Sequence, residues 1–130
     1  MQRIAENEFY SIKMDEKKNR MYLTMSGYWK KASDFPNFME DMRKALKQIS
    51  KGFTILVTIV NMKVPSDEIA ELHTKAQIEC VQAGLRKTAE IVPSAMLRLS
   101  TKRMSQQSGM TMKQFDNPQE AETWLDQQAK

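Results

Sequence analysis

Phe53-Thr54-Ile55-Leu56-Val57-Thr58-Ile59-Val60, then Asn61-Met62-Lys63-Val64-Pro65, then Ser66-Asp67-Glu68-Ile69-Ala70-Glu71-Leu72: this stretch decides the reading of the chain. Its first segment is apolar on both faces of an extended chain apart from two threonines, the pattern of a strand covered on both sides. Ser66 is a residue type that caps helices, and Asp67 and Glu68 follow it in the first turn, where the helix dipole favours negative charge. Strand, loop and capped helix make an α/β unit. In such proteins sites are built at loops leaving the carboxyl ends of strands, so 61–67 is the first place to look for function.

Upstream, Tyr10, Ile12 and Met14 alternate with Phe9, Ser11 and Lys13, and Met21, Leu23 and Met25 alternate with Tyr22, Thr24 and Ser26. Both are period-two patterns of half-buried strands. The polar turn Asp15-Glu16-Lys17-Lys18-Asn19 between them predicts an N-terminal hairpin, the one strong antiparallel pairing expected. Ser33 or Asp34 then caps a helix with Pro36 in its first turn. Phe35, Phe38, Met39, Met42, Ala45, Leu46 and Ile49 recur at intervals of three and four on an arc of about 120°, one buried face.

Downstream, Ile69, Leu72, Ala76, Cys80 and Ala83 form the inner face of the helix that starts at Ser66, and Gly84 ends it. Lys87–Val92 reads as a strand closed by Pro93. Ser94 caps a third helix that runs to Gln107 and stops at Gly109. Met110–Phe115 is a short strand. Asn117-Pro118-Gln119-Glu120 is a strong helix start: a cap, proline at the first position and glutamate at the third. Ala121, Trp124 and Leu125 supply the inner face, with Trp124 as its expected core anchor. The order is β-β-α-β-α-β-α-β-α, a mixed, mostly parallel sheet of five strands with four helices.

The length of 130 residues fits a single domain over 1–130 with its core at about 8–127. With 41% hydrophobic and 28% charged residues, the composition is that of a soluble globular protein. No apolar run reaches the ~20 residues of a membrane span. No signal-peptide pattern opens the chain, and its single cysteine, Cys80, excludes an intramolecular disulfide, so a cytoplasmic location is expected. The net charge of +4 is spread along the chain among acidic residues and predicts no nucleic-acid partner. The 11 methionines suit irregular core filling.

Three local features carry a resemblance. Leu23-Thr24-Met25-Ser26-Gly27 is a strand ending in glycine. The buried strand to Val60 leads through a loop to a helix at Ser66. Phe115-Asp116-Asn117-Pro118-Gln119-Glu120-Ala121-Glu122-Thr123-Trp124-Leu125 joins a terminal strand to a "Phe … Ala-x-x-Trp-Leu" helix. In this order they resemble the STAS superfamily, the anti-sigma-factor-antagonist-like fold, and within it the SpoIIAA-like group, over residues 8 to 127. In the phospho-switched branch of that superfamily the loop reads Asp-Ser-Ser-Gly-Leu-Gly and its second serine is phosphorylated. The matching residues here are Pro65, Ser66, Asp67, Glu68, Ile69 and Ala70. Asp67 stands where the phosphoacceptor would be and both glycines are gone, so an unswitched, constitutive contact is expected, and any phosphate would fall on Ser66.

No Gly-rich phosphate loop, zinc spacing or nucleophile elbow is present, and no enzyme, metal or cofactor is expected. His73 and Cys80 stand seven residues apart on one helix, a rise of about 10 Å, which forbids a thiol–imidazole pair and leaves both as packing residues. Arg103 falls among Met96 and Leu99 on its helix, where an arginine either snorkels or meets an anion or lipid headgroup. Tyr28 and Trp29 beside Lys30 and Lys31 either contact a partner or cover the end of the sheet. The resemblance thus implies a non-catalytic STAS-like regulatory or protein-interaction module. Asn61, Lys63, Ser66 and Asp67 form its partner-binding loop, and its partner is an anti-sigma-factor-like protein or a second copy of the chain. The alternative is a small-ligand or lipid-binding domain with an apolar pocket between helices and sheet and Arg103 as the anion contact.

Overall fold

The computed structural model describes residues 1–128. Strands β1 (Gln2–Glu6), β2 (Tyr10–Asp15), β3 (Arg20–Ser26), β4 (Thr54–Val60), β5 (Lys87–Ile91) and β6 (Met112–Phe115) form one sheet in sequence order. Helices α1 (Phe38–Lys47), α2 (Asp67–Gln82), α3 (Ala95–Ser108) and α4 (Pro118–Gln128) follow β3, β4, β5 and β6 respectively. The β1–β2 and β2–β3 pairs are antiparallel; β3 to β6 run parallel.

The two faces of the sheet differ. The larger core carries alternate residues of β2, β3 and β4, namely Tyr10, Ile12 and Met14, Met21, Leu23 and Met25, and Ile55, Val57 and Ile59. It packs them against Phe38 and Met42 of α1, Ile69, Ala76 and Cys80 of α2 and Leu97 of α3. The other face is covered by α4 alone, whose Ala121 and Leu125 pack on Leu56 and Ala89. Beyond the reach of α4, the outer positions Ser11, Lys13, Thr24 and Ser26 are polar, as a half-solvated antiparallel region requires. β4 lies inside the sheet, and Ile55, Val57 and Ile59 are all buried, as its apolar sequence predicts.

The sheet has six strands, not five. β1 lies ahead of residue 8, is mostly exposed at an edge, and slips register between Arg3 and Ala5. Only Ile4 and Ala5 reach the core, so no period-two signal survives in its sequence. The antiparallel region therefore holds two pairs rather than one hairpin. The first helix also starts later than its sequence suggests. Ala32–Asp34 forms a single 3-10 turn, Pro36 sits in the turn after it, and α1 begins at Phe38 with no side-chain cap. Phe35, Phe38 and Met42 nevertheless share the buried face, with Leu46 and Ile49 packed at its edge.

The other helix ends obey their sequence. Ser66 Oγ accepts from the Ile69 N–H at 3.3 Å, Ser94 Oγ from Leu97 at 3.1 Å and Asn117 Oδ1 from Glu120 at 2.8 Å. Gly27 closes β3 with φ +82°, and a Cβ there would stand 3.1 Å from the Phe9 ring, so a side chain at this turn would be strained and would press on Phe9.

Trp124 is not the core anchor of α4. It is half-buried, one side against Phe115 at 5.5 Å between centroids, with the Lys113 ammonium over both rings. Ala121 and Leu125, one turn apart, hold the fully buried positions. The buried tryptophan is Trp29, which leaves the end of β3, stacks on Phe35 at 4.1 Å and meets Phe38 edge-on at 5.3 Å.

Candidate functional site

The 61–67 loop leaves the carboxyl end of β4 and is exposed along most of its length. Asn61 turns the chain with φ +51°, in the left-handed region that asparagine tolerates best after glycine. Lys63 reaches back over the ring of Tyr28, 4.9 Å from its centroid, and Lys30 approaches the same ring at 5.7 Å. Tyr28 is thus part of the loop surface, while its neighbour Trp29 points into the core. Ser66 is spent on its cap bond, and Asp67 stands exposed in the first turn of α2.

Beside the loop, α2 and α3 enclose a groove of about 530 Å³. Its α2 wall carries Asp67 and Glu71, its α3 wall Met96, Leu99 and Arg103, and Val64 of the loop closes one end. Met96 and Leu99 are 71% and 72% exposed. Arg103 therefore lies beside Met96 and Leu99, as its helical spacing predicts, and is itself exposed. The groove brings Asp67 and Arg103 to one feature; Asn61, Lys63 and Ser66 stand outside its walls.

A second feature lies inside. Between the sheet and α1–α3 are two small chambers of about 40 and 20 Å³. Both are lined by Met25, His73, Gln77 and Glu90, with further methionines around them. Leu23, Val57, Glu90 and Gln114 stand side by side in register on β3 to β6, so Glu90 occupies a core row. Burial pushes its carboxyl up to about 7, the neighbouring Thr101 hydroxyl pulling weakly the other way. Burial pushes the His73 imidazole down to about 4 and the Cys80 thiol up to about 12. His73 packs between Trp29, at 4.8 Å, and Phe38, at 5.7 Å. It therefore sits on the buried face of α2. At pH 7 the imidazole is neutral, and burial biases the carboxyl toward its protonated form.

Glu90 is the residue that reading for motifs misses. Its signal is a lone carboxylate in a parallel strand, two residues from Thr88 and from Val92, on the face that period two assigns to the core. The chambers occupy the layer between helices and sheet, but their volumes hold a few atoms rather than an acyl chain. Drug-sized pockets run to roughly 300–1,000 Å³.

Among the described residues no group of three His, Cys, Asp or Glu side chains could hold a metal ion, and no helix is long and apolar enough to cross a membrane. No family model matches the chain, and neither a curated protein nor a solved structure does.

Proposed function

We propose that the chain is a cytoplasmic, STAS-like, non-catalytic regulatory module that binds a protein partner through the 61–67 loop and the groove between α2 and α3. The observation that carries this reading is the exposure of Met96 and Leu99 on one wall of that groove, with Val64, 46% exposed, at its end. Apolar side chains gathered at a concave, polar-rimmed surface mark an interaction site, and methionine adapts to the shape of a partner. The occupant that fits is an amphipathic helix of a partner protein laid into the groove. Its apolar residues would meet Val64, Met96 and Leu99, a basic residue would face Asp67 and Glu71, and an acidic one would face Arg103. Tyr28, held under Lys63, extends this surface across the loop.

The resemblance to the STAS superfamily puts the partner contact at the same loop and helix start. Asp67 supplies a fixed negative charge where the switched branch carries its phosphoacceptor, and the Ser66 hydroxyl is already engaged. The contact is therefore constitutive.

The test is affinity capture from the native cytoplasm, followed by binding of the purified partner. Three proteins are compared: wild type, Met96→Ser/Leu99→Ser, and Asn61→Ala/Lys63→Ala/Asp67→Ala. A partner that binds wild type and is lost from both variants supports the reading. Equal binding by the groove variant overturns it, and a wild-type dimer dispersed by the same changes would identify a second copy as the partner.

A further inference from the structure

Three buried polar atoms without a hydrogen-bond partner among the described residues converge on one place: His73 Nε2, Thr88 Oγ1 and Glu90 Oε1. All three side chains line the larger interior chamber, and His73 and Glu90 also line the smaller one. We propose that these chambers are a binding site for the ammonium group of a small primary amine, with Glu90 as its counter-ion and His73 as a second acceptor. This goes beyond the partner-binding reading and does not depend on it.

A buried polar atom with no partner is costly, and a buried carboxylate without a cation more so. Three such atoms facing one cavity are a receptor for something that donates. An ionised carboxylate only accepts, a neutral imidazole keeps one accepting nitrogen, and a hydroxyl can accept as well. An ammonium group brings three donors and the positive charge that Glu90 lacks. His73 is buried, which disfavours its charged form, so it does not compete as a cation. The titratable groups lining the chambers are His73 and Cys80 from α2 and Glu90 from β5; α1, α3, β3 and β4 contribute uncharged side chains.

Volume sets the size of the ligand. A water-sized group needs roughly 10–15 Å³, so chambers of 40 and 20 Å³ hold only a few non-hydrogen atoms. Ammonium, methylammonium and ethylammonium fit; a long alkyl chain does not. The methionine walls can shift around a short alkyl group. Met62 and Pro65, half-buried members of the 61–67 loop, line the smaller chamber.

The experiment is titration of the full chain with ammonium, methylammonium and ethylammonium chlorides, against potassium and tetramethylammonium chlorides at equal ionic strength. Melting temperature and heat of binding are both followed. The expected result is a saturable rise in melting temperature with the three small amines only, abolished in Glu90→Gln. Affinity should weaken about tenfold per pH unit below neutrality, with about one proton released per amine bound at pH 6. A response equal to that of potassium, or one unchanged in Glu90→Gln, overturns the proposal. So does a high-resolution crystal structure at saturating methylammonium with only ordered water between Glu90 and His73. If Glu90→Gln does not fold, that wild-type crystal structure decides: no methylammonium between Glu90 and His73 rejects the site.

Discussion

The fully buried guanidinium of Arg20 donates to the Asp126 carboxylate across 2.9 Å, tying the start of β3 to the last helix. The same guanidinium bonds Glu122, and its Nε donates to Thr54 Oγ1 at 2.8 Å. Tyr22 Oη donates to Glu122 and Lys18 reaches both carboxylates, so α4 is held on its face of the sheet by a charged clamp beside a small apolar core. The two sides of the clamp are unequal: Arg20 has no exposure, whereas the Asp126 side chain is 49% exposed.

That inequality predicts unequal costs. Arg20→Ala removes the donor of Thr54 and Asp126 from a fully buried site, while Glu122 keeps Tyr22 and Lys18, and should destabilise by roughly 2–3 kcal/mol, the range for hydrogen bonds to charged groups. Asp126→Asn leaves Glu122 in place and an exposed partner lost, and should cost under ~1 kcal/mol. Urea unfolding measures both. Equal losses would mean that α4 is held by the exposed carboxylate rather than by the buried arginine.

The two tryptophans should separate in the same way. Trp29→Ala removes a fully buried ring stacked on Phe35 and should cost about 3–5 kcal/mol. Trp124 is half-buried, so Trp124→Ala should cost about half as much, while Leu125→Ala costs roughly 2–5 kcal/mol. Acrylamide quenching should reach Trp124 and spare Trp29. Two equally quenched rings in the folded protein would contradict the placement of Trp29.

Much of this architecture is legible in the residues. Strands that alternate strictly, such as Tyr10–Met14 and Met21–Met25, declare a buried face, and caps such as Ser66, Ser94 and Asn117 declare a helix start. β1 declares neither, because an edge strand with a register slip needs no alternation. Trp29 is buried by rings distant in sequence, which local spacing does not encode. The groove was legible in part: the spacing of Met96, Leu99 and Arg103 puts them together, but that α2 faces them emerges only from the packing of two helices. The Glu90–His73 chamber needs the sheet register and the helix packing together, since its polar groups come from different elements.

Ser66 gives a prediction that separates capping from signalling. Ser66→Ala removes the bond to the Ile69 N–H and should lower stability by about 1 kcal/mol. Incubation of the protein with native extract and radiolabelled ATP should give no stoichiometric label, since Asp67 and Glu68 repel a phosphate at that position. Label on wild type that vanishes in Ser66→Ala would reject the constitutive contact.

Glu90 and His73 make opposite demands on pH. The Glu90 carboxyl rises by burial from 4.5 to about 7, so its contribution is fully present below pH 4.5 and is lost as pH rises through 7. The His73 imidazole falls by burial from 6.5 to about 4, so its contribution is present above pH 6.5 and is lost as pH falls through 4. At about 1.4 kcal/mol per tenfold change, each shift is worth roughly 3 kcal/mol. Between pH 4.5 and 6.5 the two slopes have opposite sign and cancel, because folding moves a proton from imidazole to carboxylate without changing the number bound. Single variants should uncover each slope. Relative to wild type, Glu90→Gln should lose stability on acidification from pH 7 to 4.5, and His73→Phe should lose it as pH rises from 4 to 6.5. The carboxylates held low by Arg20 and Arg43, Asp126 and Glu79, give a common acid-side loss that cancels in these differences. Urea unfolding at half-unit pH steps measures the profiles, and a Glu90→Gln profile parallel to wild type from pH 7 to 4.5 would show that the Glu90 carboxyl is not held protonated in the core.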